Sequence, residues 1–165
     1  MKICIIGSGY VGLVSGACFA DLGNTVYCVD KDKNKIDILN NGEVPIFEPG
    51  LNEIVNKNYL SNRLKFTTNF NHAIKNSDII FICVGTPTTK TKKSANLQYV
   101  FKAASEIGKC INKFKIIVTK STVPVCTGDK IEKIILKRRR KKLFEVVSNP
   151  EFLREGEAIR DFRFP

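Results

Sequence analysis

The stretch that most constrains this chain is the sequence G-S-G-Y-V-G at residues 7–12, which directly follows the apolar run Lys2–Ile6. A G-x-G-x-x-G sequence is weak evidence alone. It becomes informative after a strand, before a helix, and with an acid about twenty residues further on. Here residues 11–22 carry apolar side chains at helical spacing, and Asp30 ends the β-branched run Thr25–Val29. These features together predict a strand–turn–helix unit that binds a dinucleotide.

Strand-like and helix-like segments alternate along the whole chain, which at 165 residues has the length of one domain. The run at 78–84 is apolar throughout, as expected for a parallel strand covered on both faces. The alternation predicts a single Rossmann-like α/β domain over residues 1–165, with a doubly wound parallel sheet and helices on both faces. The predicted strands are Lys2–Ile6, Thr25–Val29, Leu64–Thr67, 78–84, Lys115–Thr119 and 144–147; the predicted helices are 11–22, 32–41, Leu51–Leu60, Phe70–Lys75, 97–112 and 126–137, with a loop at 85–95.

Each glycine of the turn has its own expected role in cofactor binding. Gly7 permits the tight turn, Gly9 lets the backbone approach a pyrophosphate, and Gly12 allows the helix to pack closely on the strand. The free N–H groups at the start of the following helix then face the phosphates.

Asp30 indicates which dinucleotide is preferred. A carboxylate at the end of the second strand accepts hydrogen bonds from ribose hydroxyls and repels a 2′-phosphate, so it favours NAD over NADP. Lys31, Lys33 and Lys35 weaken this preference, because a nearby cation can accommodate a phosphate. FAD shares the fingerprint and remains the main competitor for the pocket.

The chain is strongly basic, with 27 lysines and arginines against 16 acidic residues and a formal charge of +11. Such an excess is one feature of nucleic-acid-binding proteins. The dense basic run at 137–142 lies between a helix-like and a strand-like segment, where cations suit the C-terminal end of the helix dipole. We therefore interpret this run as a solvated helix end and do not expect a nucleic-acid partner.

The cysteines do not resemble a disulfide framework or a metal site. There are 6 cysteines and 1 histidine, with no C-x-x-C pair. We expect reduced thiols and no metal. Because no apolar run is long enough to span a bilayer, we expect no membrane partner and a cytoplasmic protein.

Three polar loops follow directly on predicted strands: V-G-T-P at 84–87, K-S-T-V-P-V-C-T at 120–127, and S-N-P-E-F-L-R-E-G at 148–156. In an open α/β sheet, ligands bind at the carboxyl ends of the strands, where these loops would lie. Together with G-S-G-Y-V-G and with P-I-F-E-P-G-L at 45–51, the loops closely resemble the UDP-glucose/GDP-mannose dehydrogenase family. The motifs occur in the same order over essentially the whole chain.

The resemblance implies an activity and a set of site residues. The activity is oxidation of the C6 alcohol of UDP-glucose, or a related nucleotide sugar, to UDP-glucuronate through a cysteine-bound intermediate, with two NAD reduced. Thr122 would help hold a catalytic water, and Glu151 would act with that water as general acid and base. The alternative role for Glu151 is that of an acid at a helix N-terminus. The implied cofactor contacts are Val11, Asp30 and Lys35 at the adenosine half, and Thr86 with Ser121 or Thr122 toward the nicotinamide; the implied substrate contacts are Glu151, Phe152, Leu153, Arg154 and Glu155, of which Glu155 also lies close to the cofactor.

The family's enzyme is longer than this chain. Its dimerisation region and its UDP-binding domain, which carries the nucleophilic cysteine, have no counterpart in this sequence. We therefore expect the chain to be incomplete at its C-terminal edge, with 161–165 entering a final strand, and to be inactive unless another chain complements it. A non-catalytic dinucleotide-binding remnant and a basic nucleic-acid-associated protein are the alternatives. Cys126 replaces the glycine of the family's V-P-V-G-T stretch, and we interpret it as a tolerated small residue.

Overall fold

A six-stranded parallel sheet forms the centre of the protein. The computed structural model describes residues 1–88, 95–139 and 141–165. The strands are β1 (Lys2–Ile6), β2 (Thr25–Val29), β3 (Leu64–Thr67), β4 (Ile79–Ile82), β5 (Lys115–Thr119) and β6 (Phe144–Ser148). Their order is β3-β2-β1-β4-β5-β6, and each adjacent pair is parallel. This is the doubly wound order that reverses between β1 and β4, so the Rossmann-like fold predicted from the sequence is confirmed.

Helices cover both faces of the sheet. They are α1 (Tyr10–Asp21), α2 (Lys33–Asn40), α3 (Leu51–Leu60), α4 (Phe70–Lys75), α5 (Gln98–Cys110), α6 (Thr127–Arg138) and α7 (Ala158–Arg163). Side chains of β1 alternate between two cores: Ile3 and Ile5 pack with α1 and α3, whereas Cys4 and Ile6 pack with α5 and α6. Among the described residues, no helix is both long and apolar enough to cross a membrane.

The predicted elements lie close to the observed ones, and the main difference in the sheet is the end of β4. The sequence predicts a strand at 78–84, but β4 ends at Ile82. Cys83 still donates its backbone N–H to the Ile6 carbonyl at 2.8 Å, and its own carbonyl lies against Gly7. The chain therefore leaves the sheet where it meets the glycine turn. The predicted loop at 85–95 lies partly outside the described residues, which omit 89–94.

The expectation for the C-terminal segment is wrong. The resemblance places the start of a strand at 161–165, whereas the structure has helix α7 over Ala158–Arg163. The backbone N–H of Ala158 donates to Glu48 at 2.9 Å. Ala158 is fully buried and Phe162 packs on the same core, so the segment presents apolar side chains at helical spacing.

Candidate functional site

The glycine turn between β1 and α1 is fixed by two close approaches. Gly7 has a φ of +103°, which favours glycine, and a Cβ there would lie 2.6 Å from the Cys83 carbonyl oxygen. A Cβ at Gly12 would lie 1.8 Å from the Gly7 carbonyl oxygen. A Cβ at Gly9 would meet no atom within 4 Å. Gly7 and Gly12 are therefore required by packing within the protein, whereas Gly9 borders open space that a ligand can fill.

The start of α1 faces this open space. Its N-cap residue, Gly9, supplies no side-chain hydrogen bond, and the first turn contains no acidic residue. The first N–H groups of a helix have no partner within the helix and carry partial positive charge. The hydroxyl of Ser8 is buried and has no hydrogen-bond partner among the described atoms. The first turn of α1 therefore offers an anion, such as a pyrophosphate, several N–H donors for which no side chain of the helix itself competes.

Asp30 follows the end of β2, and its side chain is fixed beside the turn. One carboxylate oxygen accepts from the Ser8 N–H at 2.9 Å and from Lys35 Nζ at 3.1 Å, and the other accepts from the Asp32 N–H at 3.1 Å. Burial raises the pKa of this carboxyl, but the three donors outweigh it and hold the pKa below its ordinary value. Asp30 is therefore ionised, and because a carboxylate has about four acceptor sites, it can still accept from a ribose hydroxyl.

A cleft of about 230 Å³ opens at the carboxyl ends of the central strands. In a doubly wound sheet this edge is where ligands bind. The cleft joins residues that the sequence separates by more than a hundred positions, since it includes both Gly9 and Glu151. Its lining consists of Gly9, Tyr10, Val11, Cys83, Val84, Gly85, Thr86, Ser121, Thr122 and Glu151.

The two hydroxyls that follow β5 have different surroundings. The Ser121 hydroxyl is buried and donates to the Val84 carbonyl at 2.7 Å, so it fixes the loop after β4 to the loop after β5. Thr122 is exposed, and its carbonyl accepts from the Thr86 hydroxyl at 3.1 Å. Both residues, which the sequence leaves as alternatives toward the nicotinamide, line the cleft.

The loop at 149–157, called here the acidic loop, begins in the cleft and leaves it. The Glu151 carboxylate, which lines the cleft, accepts the Leu153 N–H at 3.0 Å. Phe152 is 82% exposed, and Arg154 pairs with Asp161 of α7 at 2.7 Å. Among the predicted substrate residues, Glu151 alone lines the cleft; the other four, Phe152, Leu153, Arg154 and Glu155, lie beyond it.

Half of the ten predicted cofactor residues line the cleft, and the other half lie outside it. Gly9, Val11, Thr86, Ser121 and Thr122 meet in the cleft. The others lie outside its lining: Gly7 and Gly12 within the turn, Asp30 and Lys35 at the end of β2, and Glu155 in the acidic loop.

Sequence reasoning missed three residues that shape the site. Tyr10 lines the cleft, and its hydroxyl hydrogen-bonds to Glu48, which is 6% exposed. Lys120 is also buried, and its Nζ lies 3.4 Å from the Asn149 side-chain oxygen. Each lies inside a motif already identified from the sequence: Tyr10 in the glycine turn, Glu48 in P-I-F-E-P-G-L and Lys120 in K-S-T-V-P-V-C-T. Nothing in the spacing showed that these side chains turn inward.

The thiols near the site differ in environment. Cys83 lines the cleft, and burial raises the pKa of its thiol to about 12. It is therefore protonated at neutral pH and a poor nucleophile. Cys126 is exposed and has a φ of +64°, a conformation that favours glycine. A glycine at this position, as the resemblance implies for the family, would adopt this conformation without strain.

The basic run at 137–142 is partly paired within the domain. Lys142 lies 3.2 Å from the carboxylates of both Glu132 and Glu145. Arg140 falls outside the described residues. The pairing of Lys142 is consistent with a solvated helix end.

These features define a dinucleotide-binding domain of the Rossmann type: the strand order of the parallel sheet, the glycine turn at the N-terminus of α1, and the hydrogen-bonded carboxylate of Asp30 after β2. Residues 1–165 match the NAD binding domain of the UDP-glucose/GDP-mannose dehydrogenase family, and the chain belongs to that family. The family identified from the sequence motifs is thereby confirmed.

Relatives show how much of the family's length this chain represents. It is 54% identical to the UDP-glucose 6-dehydrogenase of Rhizobium meliloti over 100% of its own length and 38% of the relative's. It is 56% identical to a UDP-glucose 6-dehydrogenase of Bacillus subtilis over 97% of its own length and 35% of the relative's. The solved ternary complex of Pseudomonas aeruginosa GDP-mannose dehydrogenase superposes with a TM-score of 0.96 at 40% identity, covering 100% of this chain and 39% of that one. The chain thus spans little more than a third of these relatives.

Proposed function

We propose that this chain is the NAD-binding part of a UDP-glucose 6-dehydrogenase, where it holds the cofactor and forms one wall of the nucleotide-sugar site. The observation that carries the proposal is the link between Asp30 and the glycine turn. The carboxylate suited to a ribose accepts the Ser8 N–H at 2.9 Å, directly beside the open space at Gly9 that is suited to a pyrophosphate. Two parts of one dinucleotide would therefore meet two adjacent, preformed groups.

At the adenosine end, the N–H groups of the first turn of α1 would hold the pyrophosphate, with Val11 beside it. Asp30 would accept from the ribose hydroxyls. Lys35 is already paired with Asp30, so it would border the ribose without presenting a free cation to it.

At the other end of the cleft, Thr86 and Thr122 would border the nicotinamide, with Ser121 fixing their loops together. Bound NAD supplies a hydride acceptor for the alcohol carbon. Thr122 would help to hold a water molecule, and Glu151 would take and return protons at the substrate hydroxyl and at that water. Both side chains line the same cleft, which supports their joint role.

The acidic loop would form the wall of the sugar-nucleotide site. Phe152, Leu153, Arg154 and Glu155 would line UDP-glucose, and Glu155 would also approach the cofactor. Because the chain spans only 38% of the Rhizobium meliloti relative, we propose that a complementing chain or segment supplies the rest of the site, including the nucleophilic thiol. We expect no UDP-glucose-dependent reduction of NAD by the 165-residue chain alone, and we place its function in the cytoplasm.

Titration calorimetry with NAD, NADP and FAD tests the cofactor proposal. We expect binding of NAD in preference to the other two. Asp30→Ala should weaken NAD binding by about 10- to 100-fold, since hydrogen bonds to a charged group contribute about 1.5–3 kcal/mol. Asp37→Ala, which removes an exposed carboxylate from α2, serves as the matched control and should leave the affinity unchanged. Equal affinity of the Asp30→Ala and unsubstituted proteins, or a preference for FAD, would contradict the proposal.

A further inference from the structure

Glu48 is a buried carboxylate outside the predicted site that joins three distant parts of the chain. It lies in the P-I-F-E-P-G-L segment before α3 and is 6% exposed. It accepts hydrogen bonds from the Tyr10 hydroxyl, from the Gly156 N–H at 2.8 Å and from the Ala158 N–H at 2.9 Å. Its partners therefore belong to the first turn of α1, to the end of the acidic loop and to the start of α7.

The charge of Glu48 is maintained by these donors. Burial raises the pKa of its carboxyl, but hydrogen bonds from Tyr10 and from the backbone of Gly156, Ala158 and Ile159 outweigh the effect and lower it. A buried carboxylate without such partners is strongly destabilising. The buried charge of Glu48 therefore depends on these hydrogen bonds.

The acidic loop is attached to the domain at both of its ends. At its start, the Asn149 N–H donates to the Thr119 carbonyl at 3.0 Å. At its end, Glu48 accepts from Gly156, whose φ is +88°. The ion pair between Arg154 and Asp161 joins the loop only to α7, so it shapes the loop without fixing it to the cleft.

We propose that Glu48 is the positioning residue that holds the acidic loop against the cofactor cleft. It does so by linking the loop's end to Tyr10, which is itself part of the cleft lining. The role of the loop toward NAD rests on the proposed function, whereas the attachment itself does not. Glu48 thereby determines how closely Glu151 and Glu155 can approach a bound cofactor.

Loss of Glu48 should free the loop without releasing α7. The helix keeps its own contacts with α1: the rings of Phe162 and Phe19 are 4.9 Å apart, and Arg163 pairs with Asp21 at 2.7 Å. A structural residue of general importance would instead loosen the whole domain. This difference makes the positioning role measurable.

The test is amide hydrogen exchange followed by mass spectrometry on the whole chain, comparing Glu48→Gln with the unsubstituted protein. Glutamine keeps the size of the side chain, but its amide nitrogen cannot accept a hydrogen bond. We expect exchange in peptides covering the acidic loop to become faster by about tenfold or more. Peptides covering β1 and the middle of α1 should be unchanged. Glu53→Gln, an exposed glutamate in the first turn of α3, is the matched control and should exchange like the unsubstituted protein.

Tyr10→Phe gives a graded comparison, because it removes one donor and leaves the carboxylate on Gly156 and Ala158. It should loosen the acidic loop less than Glu48→Gln does. Unchanged loop exchange in Glu48→Gln would overturn the proposal, and so would an equal increase throughout the domain.

Repeating the hydrogen-exchange measurement in the presence of NAD tests whether Glu48 affects the contact between the acidic loop and the cofactor. In the unsubstituted protein, NAD should protect both the glycine turn and the acidic loop. In Glu48→Gln, protection of the turn should persist while protection of the loop is lost; retention of both would overturn the proposal. If NAD protects neither segment in the unsubstituted protein, the proposed function fails, while the cofactor-free exchange still decides the role of Glu48.

Discussion

The glycine turn and the acidic loop border the same cleft, but they are built in different ways. The turn is determined by backbone packing: Gly7 donates its N–H to the Val29 carbonyl at 2.8 Å, and Gly12 has no room for a Cβ. The acidic loop is held by side-chain hydrogen bonds at its end, those of Glu48, and by the packing of Leu153 against the core, and it leaves Phe152 82% exposed.

The backbone packing of the turn leaves no alternative arrangement, whereas the acidic loop is fixed by a few polar contacts and one apolar side chain, Leu153. Backbone packing at the turn cannot be altered without disturbing the fold. Polar contacts of the loop can be removed singly, and the loop can then move while the domain stays folded. The predictions at Gly12 and Glu48 test this distinction, and the prediction at Cys126 concerns the loop after β5.

The largest effect is expected at Gly12. Gly12→Ala places a Cβ 1.8 Å from the Gly7 carbonyl oxygen, so the turn must shift. We expect a loss of about 3 kcal/mol or more in the free energy of unfolding, as for severe overpacking, measured by urea denaturation. Gly9→Ala is the matched control, because its Cβ meets no atom within 4 Å. It should retain stability but weaken NAD binding; a stable Gly12→Ala would break the comparison.

A smaller effect is expected when Glu48 is protonated. Its pKa lies below the ordinary value of 4.5, so the order it contributes is present above pH 4.5 and is lost as the pH falls through the lowered pKa. Tyr10 does not titrate in this range, because burial and the hydrogen bond to Glu48 raise the pKa of its hydroxyl to about 12. The amide proton signals of Gly156 and Ala158 should therefore shift together, with one midpoint below pH 4.5.

Glu48→Gln should abolish this common titration in magnetic resonance spectra. Independent midpoints for the two amides would show that the end of the loop is not held by a single carboxylate, and they would weaken the contrast with the turn.

The smallest effect is expected at Cys126, which is exposed and caps the start of α6. Its φ of +64° is strained for a side chain with a Cβ, and glycine removes this strain. Cys126→Gly should raise the free energy of unfolding by up to about 1 kcal/mol, partly offset by the greater freedom of glycine in the unfolded chain. Cys110→Gly, inside the end of α5, is the control and should be destabilising. A destabilised Cys126→Gly would indicate that the thiol packs against a neighbour.

Sequence patterns predicted the secondary structure correctly where the local side chains determine it. The apolar run of β1 and the helical spacing of α3 predict those elements with their observed bounds, because each buries its own side chains. Helix α7 was missed since its first N–H groups depend on Glu48, 110 positions away from Ala158. The inward turn of the Ser121 hydroxyl toward Val84 likewise depends on how two loops meet, which spacing does not encode.

The ion pair between Asp30 and Lys35 has a consequence for how cofactor preference could change during evolution. With Asp30 present, the ammonium 3.1 Å away is engaged, and a 2′-phosphate would have to displace a carboxylate to reach it. Replacement of Asp30 by a small neutral residue would leave the same ammonium beside the ribose, available to a phosphate. If Asp30 sets the proposed preference for NAD, this one substitution would be expected to shift the preference toward NADP, with Lys35 as the partner of the 2′-phosphate.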